Sequence, residues 1–209
     1  DDNQMIMLTM KKCAAKHNLV CLLHEKPFAG ISGSGKHNNW SLSTDTGKNL
    51  VDPGKTPREN TRFLLFLAAI VRAVDEYQDL LRMSVAYPGN DHRLGAAEAP
   101  PAVVSIFLGD ELTAILESIE NGTAYDAKEK VQMKVGVHTL PRIPKDTTDR
   151  NRTSPFAFTG NKFEFRMLGS SQAVSEPNVV LNTAVAAALD EFATVLEGAA
   201  DFHTALTNL

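Results

Sequence analysis

The chain has 209 residues, 43% of them hydrophobic, which is ordinary for one large globular domain or two small ones. Its formal net charge of -4 comes from charges of both signs scattered along the sequence, so it offers no basic face for nucleic acid and no acidic tail. The two cysteines, Cys13 and Cys21, lack CxxC spacing, which argues against a disulfide framework or a zinc site and favours a reducing, cytoplasmic compartment.

Helices and short strands are predicted in the first part of the chain. Residues 4–17 have the spacing of an amphipathic helix, and the apolar run 18–23 predicts a short buried strand. The TPRE sequence at 56–59 has the pattern of a capping box with proline at the first helical position, and it begins a largely buried helix that runs to about Ser84. The most apolar run, 63–74, is too short for a bilayer and contains an arginine, so no membrane span is expected.

The second part of the chain begins with a segment at 87–101 that is rich in Gly, Pro, Asn and Asp. This composition predicts a long exposed loop, the class of segment that often carries function. The remaining patterns predict, in order, a strand at 102–109, a helix at 110–120, a strand at 131–140, an alternating strand at 162–168 and an alanine-rich helix at 176–199. No internal repeat or clear linker is present, so we predict an α+β fold in which helices pack on one sheet.

The stretch GISGSGK at 30–36 matches the first seven positions of a phosphate-binding P-loop. A P-loop needs Ser or Thr after the lysine and a helix that begins there, but His37 follows the lysine. The polarity of residues 37–42 alternates, which predicts a strand with His37, Asn39 and Ser41 on one polar face. We therefore reject the P-loop and interpret the glycines as a flexible approach to this strand.

A second strand repeats this pattern, because Lys162, Glu164 and Arg166 alternate with two phenylalanines and a methionine. The apolar face is predicted to be core. If both polar faces lie together, they bring His37, a carboxylate and two cations onto one surface, a set that suits Mg²⁺ or Mn²⁺ and a phosphoryl group. The alternative is a solvated face whose charges pair sideways, which is the common meaning of such a strand.

Three separated motifs resemble glutamine synthetase, and they occur in the family's order: EKPFAGISGSGKHNNWSLS, GNDHRLGAAEAPP and DRNRTSPFAFTGNKFEFRMLGSSQ. The KHNNWS and GNKFEFRMLGSSQ sequences resemble those of the long-chain type III branch. The resemblance covers roughly residues 5–195. It implies a largely antiparallel, curved sheet packed by helices, and ATP-dependent ligation of ammonia to L-glutamate through a γ-glutamyl phosphate, with Mg²⁺ or Mn²⁺. It also implies a cytoplasmic homo-oligomer of stacked rings, a dodecamer in the parent enzyme.

The resemblance assigns roles to four residues that bind metal or substrate. His37 matches the first histidine of the family's G-S-G-x-H-x-H-x-S motif, and Glu164 matches the glutamate of its E-x-R motif; both are metal ligands in the family. Arg166 of the E-x-R motif and Arg93 of the HRL sequence match arginines that bind the glutamate substrate.

Five further roles follow from the same resemblance. Ser41, Lys162 and Asn39 match positions near the nucleotide, although Asn39 replaces the family's second histidine. Lys162 replaces an arginine, so the positive charge is kept but the guanidinium group that can bind two oxygens at once is lost. Glu98 matches the flap carboxylate that closes the site and takes a proton from ammonium. Arg152 matches the arginine that stabilises phosphoryl transfer.

The family's other metal-binding carboxylates precede the KPF segment, and before His37 the chain has only Asp1, Asp2 and Glu25 as acidic residues. We therefore expect residues 1–209 to be part of a single catalytic domain, without the amino-terminal domain and first catalytic strands, and inactive alone. Two alternatives stay open. One is a related γ-glutamyl ligase or guanidino-kinase-like phosphotransferase; the other is a non-catalytic structural homologue.

Overall fold

A computed structural model describes residues 2–125 and 154–209 of the chain. Its sheet is mixed, with both parallel and antiparallel strand pairs. In these residues it has four strands, which are β1 Gly35–Trp40, β2 Ile106–Phe107, β3 Phe156–Phe158 and β4 Phe163–Gly169. Their order is β1-β4-β3-β2. β4 pairs antiparallel with β1 and β3, whereas β2 and β3 run parallel, as strands joined by a long crossover can. The α+β prediction is confirmed, and the sheet is not purely antiparallel. The predicted strand 131–140 and Arg152 lie outside the described residues.

Aromatic side chains fill the core behind β3 and β4. Phe163 and Phe165 are completely buried, and the ring of Phe156 stacks on Phe163 with a centroid distance of 4.7 Å. Each buried phenylalanine stabilises the fold by about 1.5–3 kcal/mol relative to an exposed one. The alternation of β4 thus predicts its apolar face correctly.

Helices surround this sheet. In the described part of the chain they are α1 Asp2–Lys16, a 3₁₀ turn Pro57–Glu59, α2 Thr61–Glu76, α3 Gln78–Met83, α4 Pro88–Arg93, α5 Asp110–Glu120, α6 Ser175–Glu197 and α7 Phe202–Thr207. α2 buries Phe63, Leu67 and Ile70, which have the spacing of one helical stripe, and it packs against α6. The predicted helices at 4–17, 110–120 and 176–199 are confirmed.

α6 is long and apolar enough to cross a membrane, as far as its length and composition go. A single helix of this kind is weak evidence for a membrane span, because the core helix of a globular domain passes the same test of length and composition. Its buried residues include Leu181, Val185 and Phe192, and the helix packs against α2. α6 thus contributes one buried face to the core.

The predicted helix from 56 to 84 is interrupted. Residues Pro57–Glu59 form only a 3₁₀ turn, and the side chain of Thr56 makes no capping hydrogen bond. The N-cap of α2 is Asn60, whose Oδ1 accepts from the backbone N–H of Phe63 at 3.2 Å. A second break at Tyr77 separates α2 from α3.

Three other expectations are wrong. No strand in the described residues pairs with residues 18–23, and these residues form no strand in the structure. The side chains of Leu19 and Val20 are 66% and 85% exposed. The predicted strand 102–109 shrinks to Ile106–Phe107. The segment 87–101 is not simply an exposed loop, since it contains α4 and buries side chains of that helix.

Candidate functional site

The two polar strand faces meet across the pairing of β1 with β4. In this register Asn39 lies opposite Glu164, and His37 Nδ1 lies 3.3 Å from Glu164 Oε2. Asn38 and Trp40 are buried while His37 and Asn39 are exposed, as the predicted alternation requires. The structure therefore brings together the imidazole and the carboxylate that the sequence predicts as neighbours.

A β-bulge lies at this junction. Lys36 pairs with Leu168 and Asn38 with Phe165, so His37 faces two residues of β4, one of them Arg166. A bulge bends its strand and changes the direction of the side chains beside it. Here both His37 and Arg166 line the same cleft.

Glu164 is the centre of charge on this face. Its Oε2 lies 3.2 Å from Arg166 Nη2, and its Oε1 lies 4.0 Å from Lys162 Nζ. The Arg166 side chain is only 2% exposed, and its backbone N–H donates to the carbonyl of Pro155. One carboxylate thus contacts His37 and two cations, which is more than a solvated strand face requires.

The segment after α4 closes the other side of the cleft, which has a volume of about 90 Å³. Arg93, at the end of α4, and Glu98 both line it. Glu98 has a φ of 58°, a conformation that costs an L-residue about 1–2 kcal/mol. The loop holds this conformation through its own backbone bonds, such as Gly95 N–H to the carbonyl of Pro100 at 2.9 Å. The loop thus places Glu98 in the lining of a cleft that two buried arginines, Arg93 and Arg166, also line.

The glycines of the rejected P-loop lie against Arg93. A Cβ atom on Gly33 would be 2.9 Å from Arg93 Cγ, and one on Gly35 would be 2.8 Å from Arg93 Cζ. Both distances are shorter than real Cβ contacts allow. These glycines are therefore not merely flexible, because the buried arginine needs the space that a side chain would fill.

A buried carboxylate behind the cleft escaped sequence reasoning. Glu25 is 1% exposed, and its Oε1 accepts from the backbone N–H of Ser171 at 2.9 Å and from the hydroxyls of Ser171 and Tyr87. We call Glu25, Tyr87 and Ser171 the Glu25 cluster. The carboxylate fills space that two glycines leave open, since a Cβ on Gly89 or Gly169 would be 3.0 or 2.7 Å from its oxygens.

Burial and hydrogen bonding shift the pKa values in this region. Burial alone would raise the pKa of Glu25, but the hydrogen bonds from Ser171 and Tyr87 outweigh it and hold the pKa below its ordinary value. Burial and the bond to Glu25 raise the pKa of Tyr87 to about 12. Burial also lowers the pKa of Arg93, an effect that the negative charge of Glu25 partly offsets.

The reverse face of β1 is held by α6. Asn38 Nδ2 donates to Asn178 Oδ1 at 2.7 Å, and Trp40 Nε1 donates to Asn182 Oδ1 at 2.8 Å. Trp40 is 7% exposed and belongs to the core. The NNW sequence therefore has a structural role in the strand that carries His37.

Comparison with known proteins identifies the family. Residues 1–86 match the family described as glutamine synthetase, catalytic domain. The chain is 63% identical, over 90% of its length, to the "Type-3 glutamine synthetase" of Dictyostelium discoideum. The chain belongs to the glutamine synthetase family. It is also 63% identical over 78% of its length to the "Glutamine synthetase" of Butyrivibrio fibrisolvens, and 53% identical over 92% to that of Bacteroides fragilis.

These relatives are much longer than the chain, which spans 26%, 23% and 27% of them respectively. The chain thus spans about a quarter of the length of the curated relatives it matches. The printed name of the Dictyostelium protein confirms the predicted type III branch.

The predicted nucleotide-binding residues lie on the part of the polar face that is outside the cleft. Asn39 is exposed on β1, Ser41 is exposed one residue beyond its end, and Lys162 is one residue before β4. None of the three lines the cleft. Arg152, the predicted phosphoryl-transfer residue, lies outside the described residues.

The donor set of the predicted metal site can be judged from His37 and Glu164. An imidazole nitrogen and a carboxylate oxygen 3.3 Å apart fit two positions around one divalent ion. In residues 2–125 and 154–209, no group of three or more His, Cys, Asp or Glu side chains could hold a metal. The described part of the chain thus supplies two ligands that fit, and further ligands are needed to complete the metal's coordination shell.

Proposed function

We propose that the chain is part of the catalytic domain of a longer enzyme that ligates ammonia to L-glutamate at the expense of ATP. The observation that carries this proposal is the contact of Glu164 with His37, which lines a cleft together with Arg93, Arg166 and Glu98. Burying two arginines against one small polar cleft is costly unless anionic groups compensate them, which supports a site that binds an anion.

The two arginines suit a substrate with two carboxylates. Arg93 is 4% exposed and Arg166 is 3% exposed, so an anion bound between them would be shielded from water. Charge-assisted bonds to guanidinium groups are stronger and more directional than bonds between neutral groups. We assign Arg93 and Arg166 to binding of L-glutamate.

His37 and Glu164 would hold a Mg²⁺ or Mn²⁺ ion, which supplies neutralisation of phosphoryl oxygens when bound. Lys162, Asn39 and Ser41 would face ATP from the far end of the polar face. In the first step, the γ-carboxylate oxygen of glutamate attacks the γ-phosphorus of ATP, and the bond to ADP breaks. Lys162 neutralises part of the charge on the transferred group.

Glu98 has the second task. Ammonium enters the cleft and loses a proton to the Glu98 carboxylate. The resulting ammonia attacks the γ-carbonyl carbon of γ-glutamyl phosphate, the carbon–oxygen bond to phosphate breaks, and the phosphate leaves with the proton that the nitrogen loses, which gives glutamine. The loop that carries Glu98 also excludes water from the acyl phosphate. Arg152 is assigned to stabilising the phosphoryl group. We further propose a cytoplasmic homo-oligomer of stacked rings, a dodecamer, for the complete enzyme.

The test is ATP-dependent formation of γ-glutamyl hydroxamate by the complete protein that carries this sequence. We expect activity with L-glutamate, a loss on the order of 10²–10³ in kcat for Glu164→Gln, and no activity for the 209-residue chain alone. Glu117→Gln is the matched control, because Glu117 is an exposed carboxylate on α5. Full activity of Glu164→Gln, or a complete protein that prefers another amino acid, would contradict the proposal.

A further inference from the structure

Arg93 is held on several sides by groups that are not charged. Its Nε donates to Asn90 Oδ1 at 3.0 Å and its Nη2 donates to the carbonyl of Leu168 at 3.0 Å. The backbone of Gly35 lies against its guanidinium carbon. Among the described residues, no carboxylate lies within ion-pair distance of Arg93, although its side chain lines the cleft. The negative charge of Glu25 acts on Arg93 only from beyond this distance, so an anionic ligand in the cleft would stabilise the buried cation further.

Asn90 controls the direction of this guanidinium. It is completely buried, and its Nδ2 donates to the carbonyls of Val85 and Met167, both at 2.8 Å. A carboxamide has two N–H donors and one carbonyl oxygen, so these bonds leave Oδ1 for Arg93. The opposite orientation would place the NH₂ group against Arg93 and the oxygen against two carbonyls. The amide therefore has one satisfactory orientation.

Asn90 also joins elements that must stay in register. Val85 precedes α4, Met167 belongs to β4, and Arg93 ends α4 one turn after Asn90. One side chain thus fixes α4 to the strand that carries Glu164 and Arg166. Because Asn90 accepts from Nε and Leu168 accepts from Nη2, the guanidinium is held in one orientation, and its other N–H groups are left for a ligand in the cleft.

We propose that Asn90 is a positioning residue that directs Arg93 into the cleft to bind a carboxylate of the amino-acid substrate. This inference rests on the function proposed above and names a residue that acts through Arg93. Asn90 itself does not contact the substrate. Its loss should therefore impair binding of the amino acid while leaving the binding of ATP nearly unchanged.

The test compares Asn90→Ala with Ser118→Ala in the complete protein. Ser118 is a buried residue of α5 whose hydroxyl donates to the carbonyl of Ile115, so its loss removes a buried hydrogen bond far in sequence from the cleft residues. We expect Asn90→Ala to raise KM for glutamate at least tenfold with KM for ATP within twofold. Ser118→Ala should change neither constant by more than twofold.

A second measurement does not depend on activity. Phenylglyoxal modifies accessible arginines, and peptide mass spectrometry gives the rate at Arg93 with buried Arg166 as internal reference. We expect Asn90→Ala to accelerate labelling of Arg93 at least fivefold and to leave Arg166 unchanged. If Asn90→Ala does not fold, Asn90→Asp keeps the acceptor and adds a carboxylate beside Arg93, which should again raise KM for glutamate tenfold.

Unchanged labelling of Arg93 in Asn90→Ala overturns the inference, as does an equal rise in both KM values or the same kinetic effect from Ser118→Ala. Normal KM for glutamate in Asn90→Asp overturns it also. Failure of the proposed function is distinguishable, because the unmodified protein would then form no hydroxamate. Failure of this inference leaves the unmodified protein active.

Discussion

Replacing Glu25 by glutamine should destabilise the chain, because the Glu25 cluster depends on a buried negative charge. The substitution preserves the size of the side chain and keeps an acceptor oxygen. The backbone N–H of Ser171 and the hydroxyls of Ser171 and Tyr87 all donate to one carboxylate oxygen in the native protein. In the variant the same three donors would meet a neutral amide oxygen.

The size of the effect follows from these three bonds. A hydrogen bond to a charged group contributes about 1.5–3 kcal/mol and a neutral one about 0.5–1.5 kcal/mol, a difference of about 1 kcal/mol per bond. Because the three donors share one oxygen, their contributions are not fully additive. We expect Glu25→Gln to lower the free energy of unfolding by about 2–3 kcal/mol near neutral pH, measured by urea unfolding.

The loss should also depend on pH. The folded-state pKa of Glu25 lies below its ordinary value of 4.5, so its carboxylate contributes stability above about pH 4.5, and this contribution is lost as the pH falls through the folded-state pKa. The stability difference between native protein and variant should therefore be largest near neutral pH and shrink in acid. Unfolding curves at several pH values between 3 and 7 measure it.

Glu117→Gln is the control, because this exposed carboxylate on α5 undergoes the same chemical change without burial. Its effect should stay within about 0.5 kcal/mol at every pH. A Glu25→Gln variant as stable as the native protein at pH 7, or a difference that stays constant down to pH 3, would refute the reasoning.

Two further substitutions test other contacts. Asn182→Ala removes the acceptor of Trp40 Nε1 and should lower the free energy of unfolding by about 1 kcal/mol, measured in urea. Thr183→Ala, at a neighbouring exposed position on α6, should change it by less than about 0.5 kcal/mol. Equal effects of the two substitutions would argue against the contact. Glu98→Gly should be about 1 kcal/mol more stable than Glu98→Ala, because glycine adopts a φ of 58° without strain, yet both should lose ligase activity; an equally stable pair would argue against strain in this loop.

The convergence of His37 with Glu164 could be predicted because both lie on strands with a period of two. Polar and apolar side chains alternate there, so the face of each residue follows from its position. The family resemblance then supplied the pairing of the two strands, which periodicity alone does not give. The bulge opposite His37 was not predictable, since it depends on the register of two segments more than 120 residues apart.

Other features depend on tertiary contacts that leave little local signal. Glycine and proline in segment 87–101 favoured a loop, but its buried contacts with β4 convert part of it into α4. The apolar run 18–23 has the composition of a buried strand, yet a strand needs a partner, and the described residues provide none. The local sequence around Glu25 does not indicate its burial, because its donors Tyr87 and Ser171 are more than 60 and 140 residues away in sequence.

The two amide contacts between β1 and α6 rely on a coincidence of lengths. Residues two apart on a strand are separated by about 6.7 Å, and residues four apart on a helix by about 6 Å along its axis. Asn38 and Trp40 can therefore meet Asn178 and Asn182 at the same time only when strand and helix run nearly side by side. Sliding either element by a single residue would break both bonds together. The helix on the other face of β1 thus fixes the position along the chain at which the strand presents His37.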